Sequence, residues 1–118
     1  MTETFSVVKE SDLPTLIMCD EYEDFVTALN QAGFQATCLG LAGECGELLD
    51  LIKKRDYHDV KVSKEKIIDE AGDVLFYLTG LLVSEGITIS DVIEHNTDKL
   101  RERYPDGYTA GGGIRPKE

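Results

Sequence analysis

The chain has 118 residues, a length for one domain rather than two. Hydrophobic residues make up 42% and charged residues 30%, the balance of a folded soluble chain; with no Trp, 4 Phe and 5 Tyr, the expected core is aliphatic. The 23 Asp and Glu against 12 Lys and Arg leave a net charge of -11, which argues against nucleic acid or an anionic membrane as partner and means that an anionic substrate needs cations to mediate its contact.

Residues 1–12 read as a polar N-terminal arm without the pattern of a signal peptide. A first helix is expected over Leu13 to Asn30, with Pro14 near its start and Leu16, Ile17, Phe25, Val26 and Leu29 at helical intervals. Gly33 marks a turn. A second helix should run from Phe34 to Lys54, its apolar arc holding Leu41, Cys45, Leu48, Leu49 and Ile52, with Lys53, Lys54 and Arg55 at the negative end of its dipole. After a connection over 56–62, Ser63 is placed to cap a third helix ending near Ser84, with Ile67, Ile68, Ala71, Val74, Leu75, Leu78 and Leu82 inward and Gly86 as its stop. Ser90 is read as the cap of a fourth helix carrying Ile89, Val92, Ile93 and Leu100, closed by Pro105 and Gly107. Residues 109–118 form a Gly-rich tail expected to be flexible. No strand pattern appears. The expected fold is all-α, four antiparallel helices in a bundle-like array, with the domain spanning 13–108.

Cys19, Cys38 and Cys45 form no CxxC pair and read as small core residues in a reducing compartment, which with the lack of a membrane-spanning run gives a cytoplasmic expectation.

One pattern occurs twice. Residues 44–49 read Glu-Cys-Gly-Glu-Leu-Leu and residues 70–75 read Glu-Ala-Gly-Asp-Val-Leu. Residues three apart on a helix lie about 60° from each other, so Glu44 and Glu47 share a face, as do Glu70 and Asp73. Taken singly, an ExxE is ordinary solvated charge. Here each acidic pair borders the apolar arc, and if the two helices pack antiparallel the four carboxylates converge. Four carboxylates beside a dry core either take up protons or bind cations. An all-oxygen donor set suits Mg²⁺ or Mn²⁺, and the absence of Glu-x-x-His at these positions excludes a di-iron centre. On the fourth helix Asn96, Lys99 and Arg103 lie within about 60° of one another, able to meet phosphate oxygens or to form a solvated edge.

The runs LGLAGECGELLDLIKK, KIIDEAGDVLFYLTGLL and NTDKLRERYPDGY together resemble the MazG-like all-α nucleoside triphosphate pyrophosphohydrolases over about residues 15–108. That resemblance implies Mg²⁺-dependent cleavage of a (d)NTP between its α- and β-phosphates, giving a monophosphate and pyrophosphate. It implies metal ligation by Glu44, Glu47, Glu70 and Asp73, and substrate binding by Asn96, Lys99 and Arg103. A carboxylate of the quartet not fully occupied by metal, Glu47 or Glu70, is the expected catalytic base. It also implies a homodimer or homotetramer whose neighbouring chains complete the sites. Relatives often use Trp around the base; here that task falls to Phe34, Tyr22, Tyr57 or Tyr77, which the sequence does not separate. The alternative is a non-catalytic helical module of the same fold that binds metal or a protein partner.

Overall fold

The computed structural model describes residues 18–107, and these are all-helical, with no strand among them. Helix α1 spans Cys19–Leu29, α2 Phe34–Tyr57, α3 Lys64–Ser84 and α4 Ile89–Arg103. The expected arm and tail, and the expected start of α1 at Leu13, lie outside the described residues.

Local chemistry sets the boundaries. Helix α2 continues past Lys54 to Tyr57, three residues beyond the expected end. The Lys54 carbonyl then accepts from the His58 and Val60 amides at 3.0 and 3.2 Å, and Asp59, at φ 54°, turns the chain away. Ser63 caps α3 as expected, its hydroxyl accepting from the Lys66 amide at 3.1 Å. Gly86, at φ 70°, ends the following turn, a left-handed position that glycine takes without steric cost. The cap of α4 is Thr88 and not Ser90. Its hydroxyl accepts from the Asp91 amide at 3.0 Å, while the Asp91 carboxylate accepts from the Thr88 amide at 3.1 Å. This reciprocal box satisfies two orphan donors, which a cap at Ser90 would not.

Helices α2 and α3 form the main packed pair. Their facing residues run in opposite directions: Thr37 meets Gly80, Gly40 meets Tyr77, Glu47 meets Glu70, and Leu51 and Lys54 share a cleft with Lys66. The pair is therefore antiparallel. Gly40 is what lets it close at Tyr77: a Cβ at residue 40 would lie 2.5 Å from the Tyr77 ring. At the next contact Asn30 donates to the Thr37 hydroxyl at 3.2 Å and occupies the space over Gly80.

Helix α1 packs on α3 and on α4. Its Glu23 carboxylate accepts the Ile89 amide in the first turn of α4, tying two helices distant in sequence. Helix α4 departs from the expected antiparallel array, since its axis is bent 99° from that of α3. The Glu23 contact ties the first turn of α4 to α1.

The expected core is also corrected. Val26 is the fully buried apolar side chain among the described residues. Ile68, Leu75 and Leu78 of α3, Leu49 of α2, and Val92, Ile93 and Leu100 of α4 are all exposed, as is Cys19, while Cys38 and Cys45 are half-buried. These apolar positions are left uncovered by the helices α1–α4. No single helix among the described residues is long and apolar enough to cross a membrane.

Candidate metal centre

The antiparallel register of α2 and α3 decides where the duplicated acids fall. Glu44 and Glu47 project from consecutive turns of α2 towards Glu70 on α3, and one carboxylate oxygen of each lies within 4.8 Å of the others. Glu47 is exposed; Glu44 and Glu70 are half-buried. The Glu44 Oε2 atom is sealed from solvent without a hydrogen-bond partner. A buried acceptor left unpaired is costly, so this atom marks a place for a donor or a cation.

The electrostatics agree. A hydrogen bond shared with Glu47, loss of hydration, and the charges of Glu47, Asp73 and Glu70 push the Glu44 carboxyl up to about 7. Left to itself, the cluster relieves its repulsion by holding a proton there. A hard divalent cation relieves it otherwise, and three convergent carboxylates with one orphaned oxygen fit that group.

Asp73 stands outside the tight trio and is exposed, but its charge reaches Glu44. It also reaches Tyr22 of α1, whose phenol is pushed up by burial and by the Asp73 carboxylate. Tyr22 stacks on the exposed Phe25, ring centroids 6.3 Å apart and planes 27° apart. Of the other aromatic candidates, Tyr77 is engaged against Gly40, and Tyr57 is 82% exposed at the far end of α2.

The fourth-helix residues lie elsewhere. Asn96 and Lys99 line a groove of about 390 Å³ with Ile87, Asp91, Val92 and His95, all from 87–99. None of the four carboxylates lines it, and neither does Arg103. Among the described residues, the cation that meets the centre is Lys66, whose Nζ is 3.4 Å from Glu70. Sequence reasoning passed over it, although its spacing, one turn before Glu70, was the available signal. Gly40 and Glu23 were also missed, since a close approach and a long-range cap depend on partners far away in the chain.

Residues 32–108 match the family model described as the MazG nucleotide pyrophosphohydrolase domain. The chain belongs to this family. Gene 37 protein of Mycobacterium phage L5 is 32% identical over 85 residues, which cover 69% of this chain and 75% of that protein. No solved structure matches the chain. The MazG match takes in both acidic motifs and all of α2, α3 and α4. Tyr22 and the rest of α1 lie before it.

Proposed function

We propose that this MazG domain is a divalent-metal-dependent nucleoside triphosphate pyrophosphohydrolase, converting a (d)NTP and water to a (d)NMP and pyrophosphate. The observation that carries the reading is the convergence of Glu44, Glu47 and Glu70 around the sealed, unpartnered Oε2 of Glu44.

Glu44, Glu47, Glu70 and Asp73 hold Mg²⁺, with Mn²⁺ able to substitute. When bound, the cation offsets the charge of both the carboxylates and the triphosphate, so that an acidic chain accepts an acidic substrate. Glu47 is the better placed of the two candidate bases, because it is exposed and Glu70 already faces Lys66. Glu47 takes the proton of the attacking water. The water oxygen bonds to the α-phosphorus, the bond from that phosphorus to the α–β bridging oxygen breaks, and the bridging oxygen leaves with its electron pair on pyrophosphate.

Tyr22 is the favoured surface for the base, because it stands beside Asp73 and is backed by Phe25. Asn96, Lys99 and Arg103 are assigned to the nucleotide and its phosphates. Exposed apolar residues on every helix support a homodimer or homotetramer, in which a neighbouring copy brings these residues to the site.

Pyrophosphate release from a panel of NTPs and dNTPs, with and without Mg²⁺, tests the proposal. Turnover that needs Mg²⁺ and is lost in Glu47→Ala and Asp73→Ala is expected. Metal binding without turnover on any nucleotide would instead favour the non-catalytic module.

A further inference from the structure

Beside the metal centre a cleft of about 690 Å³ opens between the end of α2 and the start of α3. It is lined by Leu51, Lys54, Val60, Lys61, Val62, Ser63 and Lys66. In a chain of net charge -11, three lysines and no carboxylate line it. Lys61 makes no ion pair among the described residues. Lys54 is paired with Asp50 at 2.9 Å, but both partners are about half exposed, and such pairs exchange readily for a better anion. The N-terminal turn of α3 adds amide donors and the positive end of a helix dipole at Ser63.

The cleft is continuous with the carboxylates through one side chain. Lys66 lines it and also places Nζ 3.4 Å from Glu70. Residues 66 and 70 are separated by about 6 Å along the helix, the scale of a step from one end of a triphosphate to the other. In the opposite direction, past Asp73, the Tyr77 ring closes the space between α2 and α3 against Gly40. Along the helix pair, a phosphate chain anchored at the carboxylates has an open, cationic path only towards Lys66.

Resting on the reading above, we infer that the cleft formed by Lys54, Lys61, Ser63 and Lys66 is the pyrophosphate subsite, which receives the β- and γ-phosphates and holds the leaving group. The substrate thereby acquires a polarity, with its phosphate end at the α2–α3 connection and its nucleoside end towards α1.

The test is calorimetric titration of inorganic pyrophosphate, in the presence of Mg²⁺, into the full chain as wild type, Lys54→Glu, Lys61→Glu and Lys99→Glu, each checked for helical circular dichroism. Both cleft variants should bind pyrophosphate about tenfold more weakly or worse, the loss expected when a charge-assisted contact is reversed, while Mg²⁺ alone binds them as it binds wild type. Wild-type affinity in Lys54→Glu and Lys61→Glu, or a loss confined to Lys99→Glu, overturns the assignment. Failure of the enzymatic reading is distinguishable from this. A chain that binds pyrophosphate through the cleft lysines yet hydrolyses no nucleotide refutes the activity and supports the subsite. A chain that hydrolyses nucleotides while its pyrophosphate affinity ignores those lysines does the reverse.

Discussion

Gly40→Ala probes the contact that sets the spacing of α2 and α3. The new Cβ would fall 2.5, 2.7 and 2.8 Å from the Cε1, Cδ1 and Cζ atoms of Tyr77. Carbon atoms in ordinary contact sit at about 3.5–4.0 Å, so three ring atoms are overlapped by about 1 Å. Overpacking of this kind costs about 1–3 kcal/mol, and replacing a helical glycine by alanine returns about 1 kcal/mol. The substitution should therefore destabilise by up to about 2 kcal/mol, at about 4 °C of Tm per kcal/mol. A double-mutant cycle separates the two effects. With Tyr77→Ala as background, Gly40→Ala meets no ring and should stabilise, leaving a coupling of about 1–3 kcal/mol between the two sites. Thermal unfolding followed by circular dichroism, at one protein concentration and without Mg²⁺, measures all four corners. A coupling below about 0.5 kcal/mol would refute the claim that Gly40 is required by Tyr77. Because this contact lies one turn from Glu44 and Asp73, Gly40→Ala should also weaken Mg²⁺ binding measured by calorimetry.

Three further outcomes are expected. Glu47→Ala and Asp73→Ala should each lower kcat at least about 100-fold in a pyrophosphate-release assay with helical content intact, and Glu47→Ala should raise Tm in Mg²⁺-free buffer by removing like charge. The Glu44 carboxyl is raised from 4.5 to about 7 on folding, so the folded state binds more protons across that interval. Its stabilising contribution is then full below about pH 4.5 and lost as pH rises through 7; the Mg²⁺-free Tm should fall over this window, and Glu44→Gln should flatten the profile. Tyr22→Ala should raise KM for nucleotides about tenfold through lost stacking while Tyr22→Phe stays near wild type, and equal effects of the two on kcat alone would contradict a role at the base.

The acidic site was legible because its information is local. Glu44, Glu47, Glu70 and Asp73 sit at helical spacing beside apolar arcs, and the antiparallel pairing of α2 and α3 brings the first three together. The course of α4 was not legible. A turn ending at Gly86 says that α3 stops, not at what angle the chain resumes, and the angle depends on Glu23 reaching the Ile89 amide from a helix far upstream. The inward faces of α3 and α4 were misjudged for a related reason. Periodicity identifies an apolar face without stating whether its partner lies in the same chain. Ile68, 67% exposed, and Val74, half-buried, look alike in sequence, yet they differ in how far the described helices cover them.

The duplicated motif has a geometric consequence that a single copy would lack. Facing positions descend α2 as 37, 40, 44 and 47 while they ascend α3 as 80, 77, 73 and 70, in the same steps of three and four. Two ExxE-type pairs in an antiparallel pair therefore come level with each other: Glu44, Glu47 and Glu70 converge, and Asp73, exposed at their edge, acts on Glu44 through its charge. A slip of one residue in this register would rotate one pair by about 100° and dissolve the cluster. The contacts that prevent the slip are not acidic. They are the Tyr77 ring seated on Gly40 and the Asn30 amide over Gly80, both on the side of the centre away from the lysine cleft. Carboxylates that repel one another cannot hold the register that brings them together, so the packing beyond Asp73 must do so before any cation binds. Substitutions there should accordingly lower metal affinity and stability together, whereas substitutions of the acids should separate the two.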